Sequence, residues 1–217
     1  MNFARWEHHA PLTGVAAVVL WVVGLLVGND ETNKDTGAEI LAAVRDNSNR
    51  ILLSGILFLI GTALFVWFLG TLRSRLLAAE GEPGRLAATA FAGGVATAVC
   101  VALFPGPDMA AALNKDDIDP SAASAMHNLG DAFFVAAEYL LPVLLVATAL
   151  ASLRFGALPR WLAWVSLVVA LVLLIGPIGW AALIFAFPLW TIVVSVMLWR
   201  SWPRTATAAE PEYAASP

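Results

Sequence analysis

The sequence predicts an all-α fold, a six-transmembrane-helix bundle with a short amphipathic surface helix in the first outer loop, and three observations lead there. Of 217 residues, 60% are hydrophobic and only 13% are charged, where an ordinary soluble domain carries about 25% charged. Six apolar stretches come near the ~20 residues that a helix needs to cross ~30 Å of hydrocarbon. Basic residues gather between and beyond alternate stretches, as lysines and arginines retained on the cytoplasmic face do.

The first stretch runs from Leu12 to Gly28. Arg5 ahead of it imitates a secretory signal, but Leu25-Leu26-Val27-Gly28-Asn29 offers no small-x-small cleavage site, so an uncleaved helix is expected. In the loop that follows, Thr36-Gly37-Ala38-Glu39 reads as a capping box. Ile40, Leu41 and Val44 then give one apolar side to a helix of about three turns on the membrane surface. Asp46-Asn47-Ser48-Asn49 is expected to stop it.

The second span covers Ile51 to Leu72, and the third covers Leu86 to Phe104, ended by Pro105-Gly106-Pro107, where the second outer loop, with Asp108, is expected to begin. A polar loop, Asn114-Lys115-Asp116-Asp117-Ile118, leads to Asp119 and Pro120, an N-cap with proline at the first helical position. Its acids lack the glycine and terminal glutamate of an EF-hand and read as a solvated loop. From Ser121 the helical pattern holds to Leu153, so the fourth span, Leu129 to Leu153, is expected to rise several turns above the bilayer. Trp161 to Ile175 and Trp180 to Trp199 form a tight hairpin around Gly176-Pro177-Ile178-Gly179. Residues 1–203 thus read as one membrane domain. The tail, 204–217, has too little apolar bulk to fold and is expected to be disordered and cytoplasmic.

On this layout Arg5, Arg73, Arg75, Arg85, Arg154, Arg160, Arg200 and Arg204 fall on one side and Lys34, Arg45, Arg50 and Lys115 on the other. Both termini are therefore placed in the cytoplasm. Trp161, Trp164, Trp199 and Trp202 gather at the same side, where amphipathic rings prefer the headgroup level. Helices in lipid associate through close backbone approach at small residues. Ala90, Gly94, Ala98 and Ala102 recur every four residues on the third span, and Gly24 and Gly28 make a GxxxG on the first. Both patterns predict packing surfaces, within the chain or against a second copy.

Much intramembrane chemistry lacks its residues. No lysine lies in a span to form a retinal Schiff base. The histidines are His8 and His9, expected to be solvated on the N-terminal arm, and His127, too few within spans for haem or a three-histidine zinc site. A serine nucleophile would find no histidine or lysine base in a span. Asn128-Leu129-Gly130-Asp131 lacks the first glycine of the Gly-x-Gly-Asp motif of intramembrane aspartyl proteases, and no second span supplies a partner aspartate. Cys100 is alone and reads as a small buried hydrophobe. No metal or cofactor is expected. The net charge of −4, without a basic stripe, argues against nucleic acid as a partner.

What remains is an acidic fourth span. Seven residues at about 100° each bring Asp131 and Glu138 to within about 20° of one another, with His127 one turn before. Glu138 lies well inside the span, and Pro142 cannot donate to its carbonyl. A carboxyl at such depth costs about 2 to 3.5 kcal/mol on insertion scales. Two readings stand: Glu138, Asp131 and His127 form a ligand or ion site, or Glu138 bonds a hydroxyl or carbonyl of a neighbouring helix, with Thr62 and Thr97 at comparable depths.

Leu158-Pro159-Arg160-Trp161-Leu162-Ala163-Trp164, with Ala38-Glu39-Ile40-Leu41, Arg50 and Phe68-Leu69-Gly70-Thr71-Leu72-Arg73, resembles an uncharacterised family of small, largely actinobacterial, polytopic membrane proteins. The resemblance extends from the first span to the fifth and implies a multi-pass protein of a bacterial inner membrane, with no catalytic residue to carry over. The function expected is that of a non-enzymatic subunit, embedded in the lipid bilayer, that packs against a membrane-protein partner or a second copy, or binds an apolar ligand. The alternative is a proton- or cation-coupled small-molecule transporter using the acids of the fourth span.

Overall fold

In the computed structural model, which describes residues 8–28 and 36–201, the regular elements are all helices. A 3-10 turn (Ala10–Leu12) leads into α1 (Thr13–Gly28). Then come α2 (Gly37–Glu80), α3 (Arg85–Leu103), α4 (Gly106–Leu113), α5 (Pro120–Phe155) and α6 (Arg160–Leu173). α7 (Gly176–Ala181) passes through a π-helical turn (Ala182–Ala186) into α8 (Phe187–Ser201). Among the described residues, five helical stretches are long and apolar enough to cross a membrane, and α6, with 14 residues, is shorter. The expected disordered tail lies outside the described residues.

Of two expectations about the loops, one holds and one is corrected. The capping box forms: the Thr36 hydroxyl accepts from the Glu39 N–H at 3.3 Å and the Glu39 carboxylate accepts from the Thr36 N–H at 3.1 Å. The helix that it starts breaks within the expected stop at 46–49. Asn47 leaves helical geometry (φ −115°, ψ 17°), its amide donating to the Ala43 carbonyl at 3.3 Å, and helical structure resumes beyond the kink into the span. α2 is therefore two helices meeting at Asn47, a short one of about three turns and the long one that enters the span. The segment after Phe104, by contrast, is not a loop. Pro105 and Pro107 lack N–H groups that a first helical turn leaves unpaired anyway, and α4 starts there. Asp119 caps α5 as the sequence predicts, accepting from the Ala122 N–H at 2.8 Å.

These elements build a cap over one end of the bundle. Ile40, Leu41, Val44 and Ile51 pack on Ala111 and Ala112 of α4 and Ala123 of α5, a small core separate from the main one. Lys115 donates to the Ser48 hydroxyl at 2.9 Å and Arg45 to the Lys115 carbonyl at 3.0 Å, tying the chain after α4 to α2.

Below the cap, α1 and α2, α2 and α3, and α3 and α5 pack as antiparallel pairs. α1 lies on α2 with Gly24 beside Phe58 and Gly61 beside Trp21, the Ser54 hydroxyl donating to the Gly24 carbonyl at 2.8 Å. Trp21 donates to Thr62 at 3.2 Å across the same seam. α8 meets α1 where Gly14 faces Ser195, and meets α6 where Trp190 donates to Ser166 at 2.8 Å. At the opposite end, Arg75 donates to the Ala157 carbonyl at 3.1 Å, and the Glu80 carboxylate accepts from the Leu86 and Ala87 N–H groups at 2.9 Å each, capping α3. His8 packs its ring 5.9 Å from Trp199 and is half-buried, a correction to the solvated arm expected: the neighbouring indole offers it an apolar wall.

Large apolar side chains face outward. Trp67 is 70% exposed and Phe185 67%, with Val168, Leu171 and Leu189 above 60% or at it. A water-soluble surface rarely carries so much contiguous apolar area, whereas hydrocarbon accepts it.

Candidate ligand cavity

Beneath the cap, between α1, α2, α4 and α5, lies a cavity of about 240 Å³. Leu25, Ile40, Val44 and Ile51 make its apolar wall, and Phe58 and Phe104 its floor. The polar lining comes from Asp108, His127, Asp131 and Ser54. Local sequence explains each placement. Pro105-Gly106-Pro107 turns the chain so that Asp108 falls in the first turn of α4, where free N–H groups favour an acid. His127 and Asp131 are four residues apart on α5 and so share a face. His127 Nδ1 lies 3.4 Å from Asp108 Oδ1, each side chain about 30% exposed, while Asp131 is exposed on the cavity wall. The Ser54 hydroxyl is turned away to Gly24.

A second cavity, of about 60 Å³, continues deeper among apolar side chains. Trp21, Val101, Phe134, Ala137, Leu183 and Phe187 are among its lining. Leu25, Phe58 and Phe104 line both compartments. The Phe58 and Phe104 rings meet edge to face with centroids 5.7 Å apart, and Phe104 touches Phe134 at 5.6 Å.

The structure therefore brings Asp131 and His127 together, adds Asp108, and leaves Glu138 out. Glu138 is 4% exposed and lines neither cavity. It sits against the hairpin between α6 and α7: a Cβ on Gly179 would collide with its carboxyl and lie 2.6 Å from the Leu173 carbonyl oxygen. The seven-residue spacing does put Glu138 on the same side as Asp131, but about 10 Å further along the axis, where the hairpin replaces the cavity as neighbour. Thr62 and Thr97 are not its partners, since Thr62 accepts from Trp21 and Thr97 donates to the Gly93 carbonyl at 2.9 Å.

Ala90, Gly94 and Ala98 are buried inside the chain, with Gly94 facing Leu69 of α2, and Ala102 is half-buried. The adjoining Gly93 faces the backbone of α5, a Cβ there falling 2.8 Å from the Leu144 nitrogen. Among the described residues, no three His, Cys, Asp or Glu side chains converge in a set that would hold a metal ion. Sequence reasoning missed Asp108, which was placed in a loop, and the shared phenylalanines, which carry no signal beyond hydrophobicity. No family model, curated protein or solved structure matches the chain.

Proposed function

We propose that this chain is a six-span membrane protein, with both termini cytoplasmic, that holds a small, largely apolar ligand in the two-part cavity and performs no chemistry on it. The arginine bias of the termini and of alternate connections supports the orientation. The observation that carries the ligand reading is the pair of adjoining pockets: an apolar one beside a polar one, with Leu25, Phe58 and Phe104 lining both. Concave apolar pockets with a few convergent polar groups are the usual form of a small-molecule site. Trp21 in the inner chamber provides the readout. In lipid nanodiscs, 11-bromoundecanol should quench a saturable part of the tryptophan fluorescence that Trp21→Phe removes. Quenching that only rises linearly with probe, and equally in both proteins, would refute a bound ligand.

A second reading, proton- or cation-coupled transport, draws on Glu138, the acid buried at the α6–α7 turn. Breaks in helices within a membrane are where transporters expose backbone oxygens to carried ions.

A further inference from the structure

We infer that the ligand is an amphiphile with a protonated amine at one end, its head between Asp108 and Asp131 and its apolar body reaching past Phe58 and Phe104 into the inner chamber. This rests on the ligand-binding reading above and adds the chemical class. Among the described residues, the wall of the mouth carries two carboxylates and no Arg or Lys. Ionised carboxylates only accept hydrogen bonds, so the groups that complement them are donors, best of all cationic ones. His127 faces Asp108 at 3.4 Å and leaves Asp131 as the acceptor open to an incoming head.

The aromatic floor points the same way. Phe58 and Phe104 line both mouth and chamber, and an ammonium held at the mouth can also meet the negative face of such rings. An anionic head would face the like charge of Asp131 there. A ligand without an apolar body would leave the inner chamber, walled by Trp21, Phe134 and Phe187, unfilled. The acids give the sign of the head and the chambers give the shape of the rest. A free alkylamine and the amine of a membrane lipid share this chemistry.

The test compares three probes of one length, 11-bromoundecylamine, 11-bromoundecanol and 11-bromoundecanoate, on the full chain in phosphatidylcholine nanodiscs, reading the saturable quenching of Trp21. The amine should bind at least about tenfold more tightly than the alcohol, the scale of one charge-assisted hydrogen bond, and the carboxylate most weakly. Asp131→Asn, at an exposed position, should abolish the preference for the amine over the alcohol, and Asp131→Glu should keep it. Equal affinity of amine and alcohol, with both saturable, would overturn the amine class and leave the cavity reading standing. Absence of saturation for all three would overturn both. Replacing part of the phosphatidylcholine by phosphatidylethanolamine separates the sources: competition with the probe supports a lipid amine, and an unchanged affinity supports a free one.

Discussion

The carboxyl of Glu138 rests on the Cα of Gly179, at a point where a methyl group could not be placed. That one contact joins the middle of α5 to the first turn of α7 and lies beside the Leu173 carbonyl at the end of α6. Residue 177, which a continuing helix would use to donate to that carbonyl, is proline and has no N–H.

Gly179→Ala should destabilise the protein by about 1–3 kcal/mol, because the new Cβ overpacks a buried site. Glu138→Ala alone should cost a similar amount through the cavity it leaves. Combined, the two should cost less than their sum by at least about 1 kcal/mol, since each relieves the other. Unfolding in detergent measures all three, and strict additivity would show that the residues do not touch.

Glu138→Gln separates the two functional readings. The amide keeps size and hydrogen-bonding capacity, so a purely packed role predicts a folded protein whose unfolding temperature and bromoundecanol binding stay near those of the parent. A carrier role predicts the same folding with loss of proton- or cation-driven uptake in proteoliposomes. We expect the first outcome.

Along α3, adjacent glycines should respond unequally. Gly93→Ala sets a methyl against the α5 backbone, which cannot yield, while Gly94→Ala meets the end of the Leu69 side chain, which can rotate. Gly93→Ala should be the more destabilising by about 1 kcal/mol or more, and Gly94→Leu, too large for any rotation of Leu69, should be worse than Gly94→Ala. Thermal unfolding in detergent ranks them. Equal losses would contradict the seam described.

At the other end, Glu80→Ala removes the acceptor for two N–H groups in the first turn of α3. A cap of this kind contributes about 1–2 kcal/mol. Faster amide exchange at Leu86 and Ala87, with the cap at Asp119 unaffected, is the expected signature.

Topology is tested with single cysteines in a Cys100→Ala background. Asp117→Cys should react with an impermeant maleimide added outside intact cells, and Glu82→Cys only after lysis; both positions are exposed in the fold. Outside labelling of Glu82→Cys would reverse the orientation.

Local signals were readable in the sequence because local forces decide them. Thr36 with Glu39 and Asp119 with Pro120 needed only their own turn to form, and the apolar lengths of the long helices follow from composition. The polar cluster around Asn47 marks a break, as it reads, and the packing of Ile40, Val44 and Ile51 under the cap sets the direction in which helix resumes beyond it. Pro105-Gly106-Pro107 misled because it marks both the end of one helix and the start of the next. Asp131 and Glu138 have the same rotation about α5, but their partners come from distant segments, α4 for one neighbourhood and the α6–α7 turn for the other. No periodicity encodes that difference.

The brevity of α6 has a consequence for the surrounding lipid. Its 14 residues extend about 21 Å, against ~30 Å of hydrocarbon, and its exposed large side chains include Trp164, Val165, Val168 and Leu171. On the six-span reading proposed above, a mismatch of this size would draw the bilayer thin along that flank. Short or unsaturated acyl chains would then gather beside the α6–α7 hairpin, and the water interface would dip toward the helix turn that shelters Glu138.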